Sequence, residues 1–159
     1  ADYATSGGLI SIQEDGEPMS EISEFLSKVP MFSRLNKRHL NKLASRVKER
    51  TYNADDVIIE QGTNGVGLFI IVSGNTDVVI KQPDGGRKVI DKKGAYDFVG
   101  ELSLLDDYPR TATVVATEPV TCYVLFKLDF LDAVRDEPEI AIEIMREMST
   151  RFRRLVASM

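Results

Sequence analysis

Leu68-Phe69-Ile70-Ile71-Val72-Ser73-Gly74-Asn75-Thr76-Asp77-Val78-Val79-Ile80-Lys81-Gln82-Pro83-Asp84-Gly85-Gly86-Arg87-Lys88-Val89-Ile90-Asp91 is the stretch on which the fold turns. It holds three short β-rich runs, Leu68–Ser73, Thr76–Lys81 and Lys88–Asp91, with only turn residues between them. Pro83-Asp84-Gly85-Gly86 predicts a hairpin turn joining the second run to the third. Strands this close, with no long helix between them, argue for an antiparallel barrel or sandwich and against a doubly wound sheet.

The same texture extends outward in both directions. Val57–Glu60 precedes the stretch, and Thr111–Ala116 and Val120–Phe126 follow it. One short helical stretch, Glu101–Leu105, interrupts the series. The β-rich character begins near residue 48. Before it lie two helices. Ser20 caps a run with Ile22, Phe25, Leu26 and Val29 at helical spacing, ended by Pro30. Asn36 caps a second run, with Leu40, Leu43, Ala44 and Val47 at i, i+3, i+4 and i+7. Its other face carries Lys37, Arg38, Lys42 and Arg46, either a solvated face or a site for an anionic partner. After the barrel come a short helix, Leu128–Arg135, then Pro138 and a long helix to about Val156. The fold class is α+β with segregated elements. Residues 1–19 are polar, glycine-bearing and aperiodic, and read as a disordered lead or a linker remnant. Leu9, Ile10 and Ile12 could at most form a short edge strand. The domain proper is 20–157.

Composition narrows the function. The chain has 159 residues, enough for one domain with its own core. One cysteine, Cys122, excludes an intrachain disulfide, and one histidine, His39, is too few for an ordinary zinc site or a cupin-like metal enzyme. Nothing beside His39 suggests a catalytic triad. The net charge of −5 argues against nucleic acid as the partner. No apolar run approaches the roughly 20 residues of a membrane span. Residues 1–17 hold Asp2, Glu14, Asp15 and Glu17 with no Lys or Arg, unlike a signal peptide. Together with the lone thiol, these features point to the cytoplasm.

The chemistry lies in Val99-Gly100-Glu101-Leu102-Ser103-Leu104-Leu105-Asp106-Asp107-Tyr108-Pro109-Arg110-Thr111-Ala112-Thr113-Val114. Gly100 has no Cβ, so a ligand or backbone can come close. The short helix after it would offer unpaired N–H groups at about Leu102 and Ser103, a ready anion site. Arg110, nine residues after Glu101, is a planar five-donor cation suited to phosphate. Pro109 fixes the backbone ahead of it. Glu101 beside a phosphate needs a reason to be there. An ionised carboxylate only accepts hydrogen bonds, so its natural partner is a hydroxyl of the same ligand, such as a ribose 2′-OH. Phosphate plus ribose in one loop suggests a small nucleotide. A plain Glu101–Arg110 ion pair is the bland alternative.

This segment resembles the phosphate-binding cassette of cyclic nucleotide-binding domains. The family pattern is Phe-Gly-Glu-Leu-Ala-Leu, a variable loop, then Pro-Arg-(Ala or Thr)-Ala-Thr-Val. Val99 stands for the usual Phe and Ser103 for the usual Ala. The likeness extends over roughly residues 22–157. Pro30-Met31-Phe32-Ser33-Arg34-Leu35 is similar to the family's lead-in helices. Glu60-Gln61-Gly62 and Leu68–Gly74 are similar to its early strands. The resemblance to the catabolite-activator and kinase-regulatory-subunit branches implies an antiparallel jelly-roll barrel of about eight strands, with a short cassette helix. It implies that Glu101 accepts from the 2′-OH and that Arg110 binds the exocyclic phosphate. The N–H groups of Leu102 and Ser103 would cradle that phosphate beside Gly100. Thr111, followed by Ala112, would add an N–H and a hydroxyl.

The base end is less specific. Arg151 and Arg154 on the last helix are the right types to stack on a purine, or else are surface charges. Ala141, Ile144, Met148, Phe152 and Leu155 form a stripe that either packs on its own barrel or makes a homodimer seam. The implied function is a cAMP- or cGMP-binding sensor that moves its last helices on ligation and makes or breaks no bond. No catalytic residue, metal or cofactor is expected, and neither membrane nor direct nucleic-acid binding. An output domain would belong to a longer protein, or the regulator stands free. The alternative is a degenerate barrel that serves only for dimerisation or docking.

Overall fold

The structure is a computed structural model describing residues 18–63, 67–100 and 110–159. The lead 1–17 and the stretch 101–109, with the expected helix Glu101–Leu105, lie outside the described residues. The rest divides into two compact units. One is helical, from residues up to 46 together with 132–159. The other is the β-unit, 47–131.

The helical unit begins with α1, Glu21–Ser27. Ser20 caps it: its Oγ accepts the Ser23 N–H at 3.1 Å and its own N–H donates to Ser23 Oγ at 2.6 Å. This reciprocal pair satisfies two backbone donors that the helix start leaves over. Pro30 closes the segment and also opens a 3-10 turn, Pro30–Phe32, since its missing N–H is no loss at a first helical position. The Asn36 side chain caps α2, Lys37–Ala44, by accepting the His39 N–H at 2.9 Å. Leu40, Leu43 and Ala44 form its buried face. Val47, read as a continuation of that face, lies beyond the end of the helix.

The basic face of α2 is matched by acids of the same unit. Arg38 pairs with Glu137 at 2.5 Å, Lys42 with Asp136 at 3.0 Å and Arg46 with Asp132 at 2.8 Å. Three of the four cations are therefore engaged within the protein. The face is thus matched by acids of its own chain, which neither the solvated-face reading nor the anionic-partner reading foresaw. These acids lie on or just after α3, Lys127–Asp136, which is followed by α4, Glu139–Ala157. Leu26, Val29, Leu43 and Ile140 are wholly buried. Each contributes about 1.5–3 kcal/mol relative to exposure.

Among the described residues the β-unit has eight strands in two antiparallel sheets. In chain order they are β1 Lys48–Tyr52, β2 Val57–Ile59, β3 Gly67–Ser73, β4 Thr76–Lys81, β5 Arg87–Lys93, β6 Phe98–Val99, β7 Thr113–Ala116 and β8 Val120–Phe126. The sheet orders are β1-β8-β3-β6 and β2-β7-β4-β5. Apart from the β4–β5 hairpin, sequential strands alternate between the two sheets, in the manner of a jelly roll, as expected. Between the sheets lies a core of Ile59, Phe69, Ile71, Val99, Val114, Ala116, Val120, Cys122 and Val124. Strand register builds it: Phe69 faces Val124 and Val99, and Ile71 faces Cys122. Burial pushes the Cys122 thiol up to about 11, so it packs as a small apolar group.

Candidate functional site

The site is assembled around Arg110, just before β7. Its side chain is buried, and Nη2 donates to the Gly67 carbonyl at 2.9 Å across 43 residues of chain. Its backbone is clamped as well. The Arg110 N–H donates to the Thr63 carbonyl at 2.7 Å, and the Gly62 N–H donates to the Arg110 carbonyl at 2.8 Å. The turn that does this is itself tied down. The Gln61 N–H donates to the buried Thr113 Oγ1 at 2.9 Å, and Gln61 Oε1 accepts the Lys81 N–H at 2.9 Å. Arg110 is thus held at backbone and side chain by two other segments.

Two glycines make room for the guanidinium. Gly100 has φ +84°, a conformation L-residues with side chains avoid. A Cβ there would run into Arg110 Nη1 and come within 2.8 Å of the Gly67 carbonyl. A Cβ on Gly67 would lie 2.5 Å from the Leu125 carbonyl, so β3 can run this close to β8 only with glycine at its start. Gly100, Gly67 and Arg110 therefore form one packed cluster. Sequence reading selected Gly100 and Arg110, and the structure brings those two together.

Beside them opens a cavity of about 390 Å³, lined by Val57, Ile59, Glu60, Thr63, Phe69 and Arg110. That volume lies in the range of small-ligand pockets. Val57, Ile59 and Phe69 give it an apolar wall. Arg110 gives it a fixed cation at one side, and Glu60 a carboxylate paired to Lys81 at 3.0 Å. The arrangement suits a ligand with one anionic group and a flat apolar part. The described residues include no group of three or more His, Cys, Asp or Glu able to hold a metal.

The other sequence-selected residues stand as follows. Glu101, Leu102 and Ser103 lie outside the described residues. Thr111 is exposed directly after Arg110, and Ala112 is half-buried. Arg151 donates through Nε to Glu147 at 3.2 Å, and Arg154 is exposed on α4. Glu147 is buried and also accepts from Arg34 Nε at 3.1 Å. Burial would raise its carboxyl, but hydrogen bonds from Arg34 and Arg151 outweigh that and hold it below the usual carboxylate range. The α4 stripe is divided: Ile144 is buried within the protein, whereas Phe152 and Leu155 are exposed. Ile144 therefore takes the packing reading of the stripe, covered by its own chain, and the seam reading concerns Phe152 and Leu155.

Sequence reading missed the clamp at Gly62 and Thr63, the Gly67 carbonyl, and the wall of Val57, Ile59 and Phe69. Gly62 and its spacing to β2 were legible. That its N–H would meet Arg110 was not, because the pairing is long-range.

Comparison with known proteins places this geometry. The family profile described as cyclic nucleotide-binding domain matches residues 49–137, more than half of the chain. A cAMP-dependent protein kinase regulatory subunit from Mycosarcoma maydis is 40% identical over 93 residues, covering 58% of this chain and 18% of the relative. A cGMP-dependent protein kinase, isozyme 2, from Drosophila melanogaster is 36% identical over 124 residues, covering 76% of this chain and 13% of the relative. The chain thus spans less than a fifth of the length of either. The crystal structure of the N-terminal domain of a transcriptional regulator from Streptomyces coelicolor A3(2) superposes with a TM-score of 0.76 at 28% identity. That match covers 84% of this chain and 94% of that one. With Arg110 fixed at the mouth of the barrel cavity and the profile running across it, the chain belongs to the cyclic nucleotide-binding domain family.

Proposed function

We propose that this domain binds cAMP or cGMP in the barrel cavity and relays occupancy through its C-terminal helices, with no bond made or broken. The observation that carries this is Arg110: a buried guanidinium, fixed before any ligand arrives, on the edge of a cavity that has one apolar wall. A cation so held pairs with a phosphate charge without reorganising. Glu101 takes the ribose 2′-OH, and the N–H groups of Leu102 and Ser103 cradle the phosphate next to Gly100. Thr111, with Ala112 behind it, adds an N–H and a hydroxyl. Arg151 is engaged by Glu147, which leaves Arg154 the better candidate to cover the base. Both nucleotides bind, with cAMP somewhat favoured. A second copy of the chain joins through the last helix. The lone buried thiol suits a cytoplasmic location. A docking module without ligand is the weaker reading, since it gives the fixed guanidinium no purpose.

Calorimetric titration with cAMP and cGMP tests this. Arg110→Ala should lose about 2–5 kcal/mol, the cost of leaving a partly buried charge unpaired. That is roughly 30- to several-thousand-fold in affinity. Arg110→Lys should fall between, because it keeps the charge and loses the fork. Wild type should discriminate against 2′-deoxy-cAMP, and Glu101→Ala should largely lose that discrimination. Unchanged cAMP affinity in Arg110→Ala would overturn the reading. The Thr111 hydroxyl can also meet the guanine 2-amino group, and an unchanged cAMP-to-cGMP affinity ratio in Thr111→Ala would show that it does not read the base.

A further inference from the structure

Glu60 and Thr63 line the cavity beside Arg110, whereas Gln61, between them in the chain, does not. The ladder that carries this segment gives out just before it. β2 pairs with β7 at Val57–Val115 and Ile59–Val114, with a register shift between the two pairs. The Gln61 N–H then meets a side chain in place of a carbonyl: Thr113 Oγ1 accepts it at 2.9 Å. Thr113 is wholly buried, so water has no access to replace that acceptor. Past this bond the chain turns at Gly62, with φ +88°, a conformation that favours glycine. The turn closes on itself, the Thr63 hydroxyl donating to the Glu60 carbonyl at 2.7 Å. From the other side, Gln61 Oε1 accepts the Lys81 N–H of β4 at 2.9 Å.

These bonds lead to Arg110 in series. The Thr113 hydroxyl and the Gln61 amide fix the turn. The turn then clamps the Arg110 backbone through the reciprocal bonds of Gly62 and Thr63, at 2.8 and 2.7 Å. The guanidinium reaches out from that backbone, and its bond to the Gly67 carbonyl at 2.9 Å tolerates little sliding. We infer that Thr113 and Gln61 are positioning residues for Arg110: both lie outside the cavity, and both set where the guanidinium stands by holding the turn that clamps it. The inference rests on the nucleotide-binding reading and deepens it, because part of the phosphate affinity is then held in a hydroxyl behind the pocket. A cation placed in advance has less order to lose when its ligand arrives.

The test begins without ligand. Thr113→Val keeps the shape of the side chain and removes the acceptor, whereas Thr113→Ser keeps the acceptor. In hydrogen exchange followed by NMR, the Gly62 and Arg110 amides should lose protection roughly tenfold in Thr113→Val, the scale of one buried hydrogen bond. Amides of β3 and β8 should stay as protected as in wild type, and Thr113→Ser should match wild type throughout. Unchanged protection at Gly62 and Arg110 in Thr113→Val would overturn the inference, whatever binds in the cavity. Calorimetric titration with cAMP follows. Thr113→Val should bind roughly tenfold more weakly and Gln61→Ala should weaken binding in the same direction, while Thr113→Ser binds as wild type does. In an Arg110→Lys background, which has already lost the fork, Thr113→Val should cost much less than it does alone. Fully additive losses would mean that Thr113 supports the fold and not the guanidinium, and would overturn the role. If Thr113→Val does not fold, Gln61→Ala, at a half-buried turn, carries the same comparisons. If wild type binds neither cAMP nor cGMP, the ligand reading falls and the exchange result decides whether Thr113 and Gln61 hold Arg110.

Discussion

Gly100 and Arg110 work as a pair, and a single carbon atom separates a shaped site from a spoiled one. Alanine at 100 has to adopt φ +84°, at a cost of about 1–2 kcal/mol for an L-residue. Its Cβ must also displace the guanidinium from beside the Gly67 carbonyl. Gly100→Ala should therefore remain folded yet bind cyclic nucleotide roughly tenfold or more weakly, the equivalent of about 1.4 kcal/mol. The informative measurement is titration alongside a melting curve. A variant that melts early yet binds normally would show that strain, not Arg110 placement, is what the glycine relieves. Sequence reading chose both residues because their types fit phosphate. It could not see the carbonyl that holds one of them, since Gly67 and Arg110 are 43 residues apart in the chain and are brought together by tertiary structure.

At the scale of elements, legibility followed burial. β8 coincides with its expected run because apolar residues dominate it, and β4 because its β-branched residues Thr76, Val78, Val79 and Ile80 stand between turn residues. β1, Lys48–Tyr52, escaped notice because its first four residues are exposed and it carries no alternation; pairing with β8 alone makes it a strand. β6 is two residues long, too short for any pattern to register. Among the helices, Pro30 reads as a stop and acts as both stop and start. The apolar stripe on α4 divides into buried Ile144 and exposed Phe152 and Leu155 because helical spacing alone does not tell which apolar residues the same chain will cover. Glu147 shows what sequence cannot price: a buried carboxylate that is held by Arg34 and Arg151. Its pKa lies below the unfolded value, so its stabilisation is present above about pH 4.3 and is lost as pH falls through the folded value. Asp136, lowered by its bond from Lys42, acts in the same direction. The melting temperature of the wild type should thus drop on acidification, and Glu147→Gln should flatten part of that drop. Glu147→Ala should cost about 1–3 kcal/mol at neutral pH by stripping both guanidinium partners. An identical pH profile for Glu147→Gln and wild type would show that the buried carboxylate contributes nothing through its charge.

Taken whole, the molecule joins a β-unit that holds the candidate pocket to a helical unit drawn from both ends of the chain. A sensor must make the second respond to the first. The helical unit has its own fastenings: Arg34 to Glu147, Arg38 to Glu137, Lys42 to Asp136 and Arg46 to Asp132. They tie residues 34–46 to residues 132–147, so the unit has the means to shift as one piece. Ligand binding to the folded state alone adds about 2.7 kcal/mol at a hundredfold excess over Kd. For a chain of this length that raises the melting temperature by roughly 5–11 °C. A stabilisation confined to the pocket would leave the helices unchanged, whereas a relay would not. Amide hydrogen exchange with and without cAMP should therefore show altered protection in α3 and α4 as well as in β3 and β7. The same change should be absent in Arg110→Ala at equal cAMP concentration. If exchange changes only within residues 47–126 while the melting temperature rises as expected, the domain binds its nucleotide and does not pass the signal to its last helices.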